Sequence, residues 1–86
     1  MPQKEFDFSL SDFLAVSATE LITPIELLSV DTIFREIPNW TSLNALLLIS
    51  RLNELTGVFI SSSDLADIRT LGELYALVVN KQNGTL

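Results

Sequence analysis

Pro38-Asn39-Trp40-Thr41-Ser42-Leu43-Asn44-Ala45-Leu46-Leu47-Leu48-Ile49 is the stretch on which the fold turns. A short polar turn ends at Thr41, and a Leu-rich helix starts at Ser42. Thr41 is a good N-cap residue, and Asn44 stands where the partner of a capping box would sit. The helix runs to Leu55 or Thr56, and Gly57 supplies the expected left-handed terminator. At about 100° per residue, Ala45, Leu48, Ile49, Leu52 and Leu55 fall on one side and form the core stripe. Ser42, Asn44, Ser50, Arg51, Asn53 and Glu54 fall on the other. Leu43, Leu46 and Leu47 share that polar side, so they are expected to be partly exposed. Such a cluster marks either a contact surface or ground covered by a neighbouring loop. Leu43-Asn44-Ala45-Leu46-Leu47 also matches an LxxLL box, a pattern that any Leu-rich helix generates. Ser42 is poorly placed for the core and well placed for an anion. The first N–H groups of a helix lack internal acceptors, and the dipole makes that end electropositive.

Working outward, Ser9 or Ser11 caps a first helix that ends near Leu21 or Ile22, with Leu10, Phe13, Leu14 and Val16 at helical spacing. Thr23-Pro24 breaks it. Pro24 to Asn39 is a long connection that opens with one helical turn. It carries Val30, Ile33, Phe34 and Ile37, too many large apolar residues for a free linker, so it is expected to lie pinned across the bundle with Phe34 as anchor. After the central helix, Val58-Phe59-Ile60 is an extended connector. Ser62 or Ser63 caps a short helix through Ile68. Thr70-Leu71-Gly72-Glu73 is a capping box that opens a last helix from Leu71 to about Val79. Nothing alternates with period two. The reading is an all-α four-helix bundle: three main helices, one short helix and a long first loop. Residues 1–8 read as a loose lead-in, 9–80 as one domain and 81–86 as a frayed tail.

Composition narrows the chemistry. The 86-residue chain is one domain with a modest core. It has no cysteine and no histidine, which removes disulfides, thiolate metal sites and the usual general base. Five basic residues against eleven acidic ones give a net charge of −6. That sign opposes nucleic acid and anionic membranes and favours basic docking surfaces. Most acids precede the central helix; Glu54 alone lies within it. No export signal or spanning segment is visible, so a cytoplasmic location without membrane insertion is expected. Trp40 is expected to anchor the loop, and Tyr75 to be half-buried with its hydroxyl in water. Arg35, Arg51 and Arg69 are read as solvated or paired at the surface. Asp64 and Asp67 share a face of the short helix; a carboxylate-pair enzyme is one reading, and acids at a helix start the simpler one.

These patterns together resemble an acyl carrier protein. Thr41-Ser42-Leu43 occupies the place of that family's D-S-L motif, after the long loop and at the start of the second helix. Gly57-Val58-Phe59-Ile60-Ser61 resembles its G-V-x-I-P connector. Ile68-Arg69-Thr70-Leu71-Gly72-Glu73-Leu74 resembles its entry to the last helix, and Asp31-Thr32-Ile33-Phe34-Arg35-Glu36-Ile37 its loop pattern. The resemblance spans Leu28 to Val79. It implies a non-catalytic protein whose Ser42 receives 4′-phosphopantetheine from coenzyme A through a phosphopantetheinyl transferase. The arm would carry acyl, aminoacyl or polyketide intermediates as thioesters. Implied partners are acyl-loading and acyl-processing enzymes such as a ketosynthase or acyltransferase, met through Leu43, Leu46 and Leu47; a monomer with no metal is expected. Thr41 stands where the family has Asp, and Leu47 where it usually has a partner-facing glutamate, which points to a dedicated pathway. The competing reading is a helical interaction module of the same fold that is never modified.

Overall fold

The computed structural model describes residues 8–83. Four α-helices follow one another: α1 (Leu10–Glu20), α2 (Ser42–Thr56), α3 (Ser62–Ala66) and α4 (Leu71–Gln82). The only other helical pieces among the described residues are two 3-10 turns in the first loop, Ile25–Leu27 and Phe34–Glu36. The all-α reading with three main helices, one short helix and a long first loop therefore holds. The expectation for Met1 to Asp7 lies outside the described residues, as does that for residues 84–86.

Each helix start has a local cause. Ser9 caps α1 in a full box with Asp12, and Thr70 caps α4 in a full box with Glu73. Both boxes satisfy two backbone N–H groups that would otherwise face no acceptor. The Arg69 and Thr70 N–H groups hold the Glu73 carboxyl below the ordinary carboxylate range. Thr41 caps α2, and Gly57 ends it at φ 74°, the left-handed geometry that glycine takes without a Cβ penalty. At α3 the cap is Ser61 with Asp64, one residue before the serines expected, and the helix closes at Ala66 rather than Ile68. Three consecutive serines offered the same signal; Asp64 selects the one three residues upstream. Helix α4 continues to Gln82, so Lys81 and Gln82 are helical instead of belonging to a tail. Lys81 lies near the helix C-terminus, where its charge suits the dipole, and reaches Asp64 at 3.7 Å.

The core is a single cluster built from all four helices and the first loop. Phe13, Phe34, Leu48, Leu52, Leu71, Leu74 and Val78 are fully buried. Phe34 anchors the loop as expected. The loop is also sewn to the α3–α4 junction by backbone bonds: Phe34 N to Arg69 O at 3.1 Å, Leu71 N to Thr32 O at 2.9 Å and Gly72 N to Val30 O at 2.9 Å. A Cβ on Gly72 would stand 2.8 Å from the Val30 carbonyl oxygen, so only glycine permits this approach. Arg35 is not free, and it forms no ion pair among the described residues. Its guanidinium donates to the carbonyls of Leu65 (2.6 Å) and Ile68 (2.8 Å), closing the end of α3, and lies over the Phe34 ring.

Three further expectations need correction. Phe8, assigned to the lead-in, is buried beside Phe13 and Tyr75. The Tyr75 hydroxyl donates to the Phe8 carbonyl at 2.9 Å instead of reaching water. Leu55, assigned to the core stripe, is 37 % exposed. It faces an open depression shared with Phe8, Asp12, Ala15 and Val16. The helical wheel gives its direction correctly, but among the described residues no neighbour covers it fully.

Two features of α1 run against local stability. Ile22 stands at φ 51°, a conformation costly for a β-branched side chain. The reason is the helix ending: Thr23 N bonds Ala18 O at 3.0 Å and Ile22 N bonds Thr19 O at 3.3 Å, the paired bonds of a Schellman motif, whose usual residue at this position is glycine. The Ile22 side chain is 69 % exposed, so little packing compensates. Ile22→Gly is expected to raise stability by about 0.5–1 kcal/mol in urea unfolding, the strain released outweighing the added freedom of the unfolded chain. A lower midpoint would mean that the isoleucine packs usefully. Ser17 is fully buried, and its hydroxyl has no hydrogen-bond partner among the described residues. Ser17→Ala removes that unsatisfied group and improves helix propensity, so a gain of about 1 kcal/mol is expected, seen as a rise of about 4–8 °C in melting temperature. An unchanged or lower melting temperature would show that the hydroxyl is satisfied.

Candidate functional site

The α2 N-terminus is assembled from the end of α1, the first loop and the helix itself. Trp40 N donates to Ile37 O at 2.9 Å, and the Trp40 ring packs on Phe34 with centroids 4.8 Å apart. Trp40 is thus the local anchor expected. Thr41 is extended, and its hydroxyl accepts from Asn44 N at 3.0 Å. Asn44 does not close a capping box. Its side-chain amide donates to Asn39 O at 2.7 Å, and the Asn39 amide donates to Ile22 O at 2.6 Å. This relay ties the turn before α2 to the end of α1. Two asparagines five residues apart carry no pattern that would announce it in the sequence.

Ser42 is the first residue of α2 and is exposed. Its hydroxyl makes no hydrogen bond among the described residues, and the N–H groups of Ser42 and Leu43 have no acceptor there. No acidic side chain occupies the first turn. An anion at this tip therefore meets two open donors and the positive end of a 15-residue helix.

Ser62 is the instructive contrast. It too is an exposed first residue of a helix. There, however, the Asp64 carboxylate already accepts the Ser61 N–H, which holds it below the ordinary carboxylate range, with Lys81 adding to the effect. A negative charge thus sits where a second anion would have to bind, and α3 is only five residues long. Asp64 is committed to its cap and to Lys81, so the Asp64–Asp67 pair does not form an open carboxylate site. Among the described residues, no group of three or more potential ligands could hold a metal ion. No helix among them is long and apolar enough to cross a membrane.

Leu43, Leu46 and Leu47 lie in the first two turns of α2 and are 65 %, 57 % and 45 % exposed. The first loop does not cover them. The opposite side of the helix buries Ala45, Leu48, Ile49 and Leu52. Ser42 and the three leucines thus occupy one uncovered end of α2.

No curated protein matches the chain. A family model described as the phosphopantetheine attachment site matches residues 10–78, from the first residue of α1 into the last turns of α4. That match covers most of the 86 residues and ends within the bundle at both sides. The chain belongs to the acyl carrier protein family, whose domain is the attachment site for covalently bound 4′-phosphopantetheine.

Proposed function

We propose that Ser42 is the residue that takes up the 4′-phosphopantetheine, and that Leu43, Leu46 and Leu47 receive the enzymes that visit it. The observation carrying this reading is the exposed, unpartnered hydroxyl at the first position of α2 beside two open N–H donors. A phosphodiester fits there: its oxygens can accept from the Ser42 and Leu43 N–H groups, and no carboxylate opposes it in the first turn. The hydroxyl oxygen would attack the pantetheine-bearing phosphorus of coenzyme A, forming the serine O–P bond as the pyrophosphate P–O bond breaks and adenosine 3′,5′-bisphosphate leaves. The serine proton goes to a base on the transferase, since the chain has no histidine or cysteine to take it. The Thr41 cap and the asparagine relay hold the turn while the oxygen reacts. When bound, the arm supplies a terminal thiol on which an acyl group is carried as a thioester. The chain itself is non-catalytic on this reading. It serves a dedicated acyl, aminoacyl or polyketide pathway in the cytoplasm, as a monomer. Its partners are a phosphopantetheinyl transferase and acyl-loading or acyl-processing enzymes such as a ketosynthase or acyltransferase.

Incubation with coenzyme A and a broad-specificity phosphopantetheinyl transferase, followed by intact mass measurement, tests the carrier role. One added phosphopantetheine is expected. No gain with any transferase, the native host's included, would contradict it and favour the unmodified interaction module. The leucine surface has its own test. Leu46→Glu leaves the fold within about 0.5 kcal/mol, because the side chain is largely exposed. It places a charge in the apolar contact, and the transfer rate is expected to fall about tenfold through a raised KM. An unchanged KM would remove Leu46 from the docking surface.

A further inference from the structure

The charge that would draw a basic partner toward Ser42 is not on the Ser42 helix. The acid within α2, Glu54, is paired with Arg51 at 3.0 Å, and Glu20 meets the same arginine at 3.8 Å. Asp12, Asp64 and Glu73 are committed to capping boxes. In the first loop the balance differs. Asp31 and Glu36 are exposed, and neither carboxylate has an ion-pair or hydrogen-bond partner among the described residues. The loop's arginine, Arg35, forms no ion pair with them among the described residues, because its guanidinium is held against the Leu65 and Ile68 carbonyls.

Asp31 and Glu36 both border an open cleft of about 350 Å³ whose apolar walls include Leu27, Leu28, Ile33 and Ile37. Leu27 is exposed, while Leu28 and Ile37 form the buried floor. The cleft therefore offers an apolar slot with two uncompensated negative charges. Its wall at Ile37 and Pro38 leads directly into the turn that presents Ser42. A partner reaching for the Ser42 oxygen comes to this end of the loop.

We propose that this cleft is a second docking surface, and that its occupant is a basic surface segment of the phosphopantetheinyl transferase. An apolar side chain of that segment enters between Leu28, Ile33 and Ile37, and flanking lysines or arginines face Asp31 and Glu36. Steering of this kind acts mainly on encounter and is screened over about 8–10 Å at physiological salt. The inference rests on the Ser42 reading and reassigns to the loop the electrostatic part of recognition that α2, with its single paired acid, does not supply.

The test is a calorimetric titration of a broad-specificity phosphopantetheinyl transferase, loaded with coenzyme A, against the full chain carrying Ser42→Ala. That background cannot be modified at Ser42, so binding is read apart from transfer. Adding Asp31→Asn with Glu36→Gln is expected to weaken Kd about tenfold at low salt, and the difference is expected to close at about 1 M salt, where the screening length is roughly 3 Å. Glu26→Gln removes a charge from the same loop but not from the cleft, and is expected to change Kd less than about twofold. An unchanged Kd in the double variant would overturn the proposal, as would an equal loss in Glu26→Gln. So would weakening confined to an acyl-processing enzyme tested in parallel. Failure of the Ser42 reading is seen separately, as a phosphopantetheine added to the Ser42→Ala chain.

Discussion

Ser42→Ala is expected to fold as the parent does and to take up no phosphopantetheine, a complete loss of modification at no cost in stability. The hydroxyl bonds nothing among the described residues, the side chain is exposed, and Thr41 remains to cap the helix. Alanine is favourable at a first helical position, so unfolding should shift by less than about 0.5 kcal/mol. Two other exposed helical serines, Ser50 and Ser62, are not expected to replace Ser42. Ser50 lies mid-helix, away from open N–H donors. Ser62 sits beside the ionised Asp64 cap. Ser62→Ala should therefore be modified at the parental rate. Intact mass of both variants after incubation with coenzyme A and transferase, beside thermal melts, gives the result. A modified Ser42→Ala chain would place the acceptor elsewhere.

Phe34→Ala is expected to cost about 3–5 kcal/mol, the largest stability loss of any single truncation considered. Phe34 is fully buried at the centre of a small core. Its ring carries Trp40 on one contact and the Arg35 guanidinium on another. Its N–H bonds Arg69 O, one of the stitches between the loop and the α3–α4 junction. Truncation opens a cavity and frees the loop from the bundle together. A domain of this size has roughly 5–15 kcal/mol to lose, so a large share goes with one side chain. The melting temperature should drop by more than about 12 °C, at about 4–8 °C per kcal/mol. Because Trp40 rests on Phe34, the turn before Ser42 should loosen as well, and the transfer rate should fall even where the variant is still folded. Phe59→Ala is the control: that ring is exposed and should cost less than about 0.5 kcal/mol. A loss below about 1 kcal/mol for Phe34→Ala would mean that the loop is not part of the core.

What could be read before the fold was known is whatever depends on near neighbours. Thr41 and Gly57 bound α2 by their own chemistry, and Thr70 with Glu73 opens α4, because a cap and its partner lie within four residues. Phe34 was legible as an anchor because a loop cannot leave so large a ring in water. The exposure of Ser42 and of Leu43, Leu46 and Leu47, though not their role, followed from counting around one helix. The features that escaped depend on residues far apart in the chain. Arg35 closes α3 across some thirty positions, and Tyr75 bonds Phe8 across 67. Asn39 reaches Ile22 across 17. Leu55 shows the same limit from the other side: a helical wheel fixes where a side chain points, and only the packing of α1 determines whether anything lies there. The charge arrangement was half legible. The excess of acids before α2 was plain, but not that Arg35 is withdrawn from them or that two of them border a cleft.

The assignment of Ser42 is tested most directly by fragmentation mass spectrometry of the modified chain. Digested and sequenced peptide by peptide, it should carry the whole phosphopantetheine on the fragment ion containing Ser42, with Ser50, Ser61, Ser62 and Ser63 unmodified. The group found on any other residue would contradict the account.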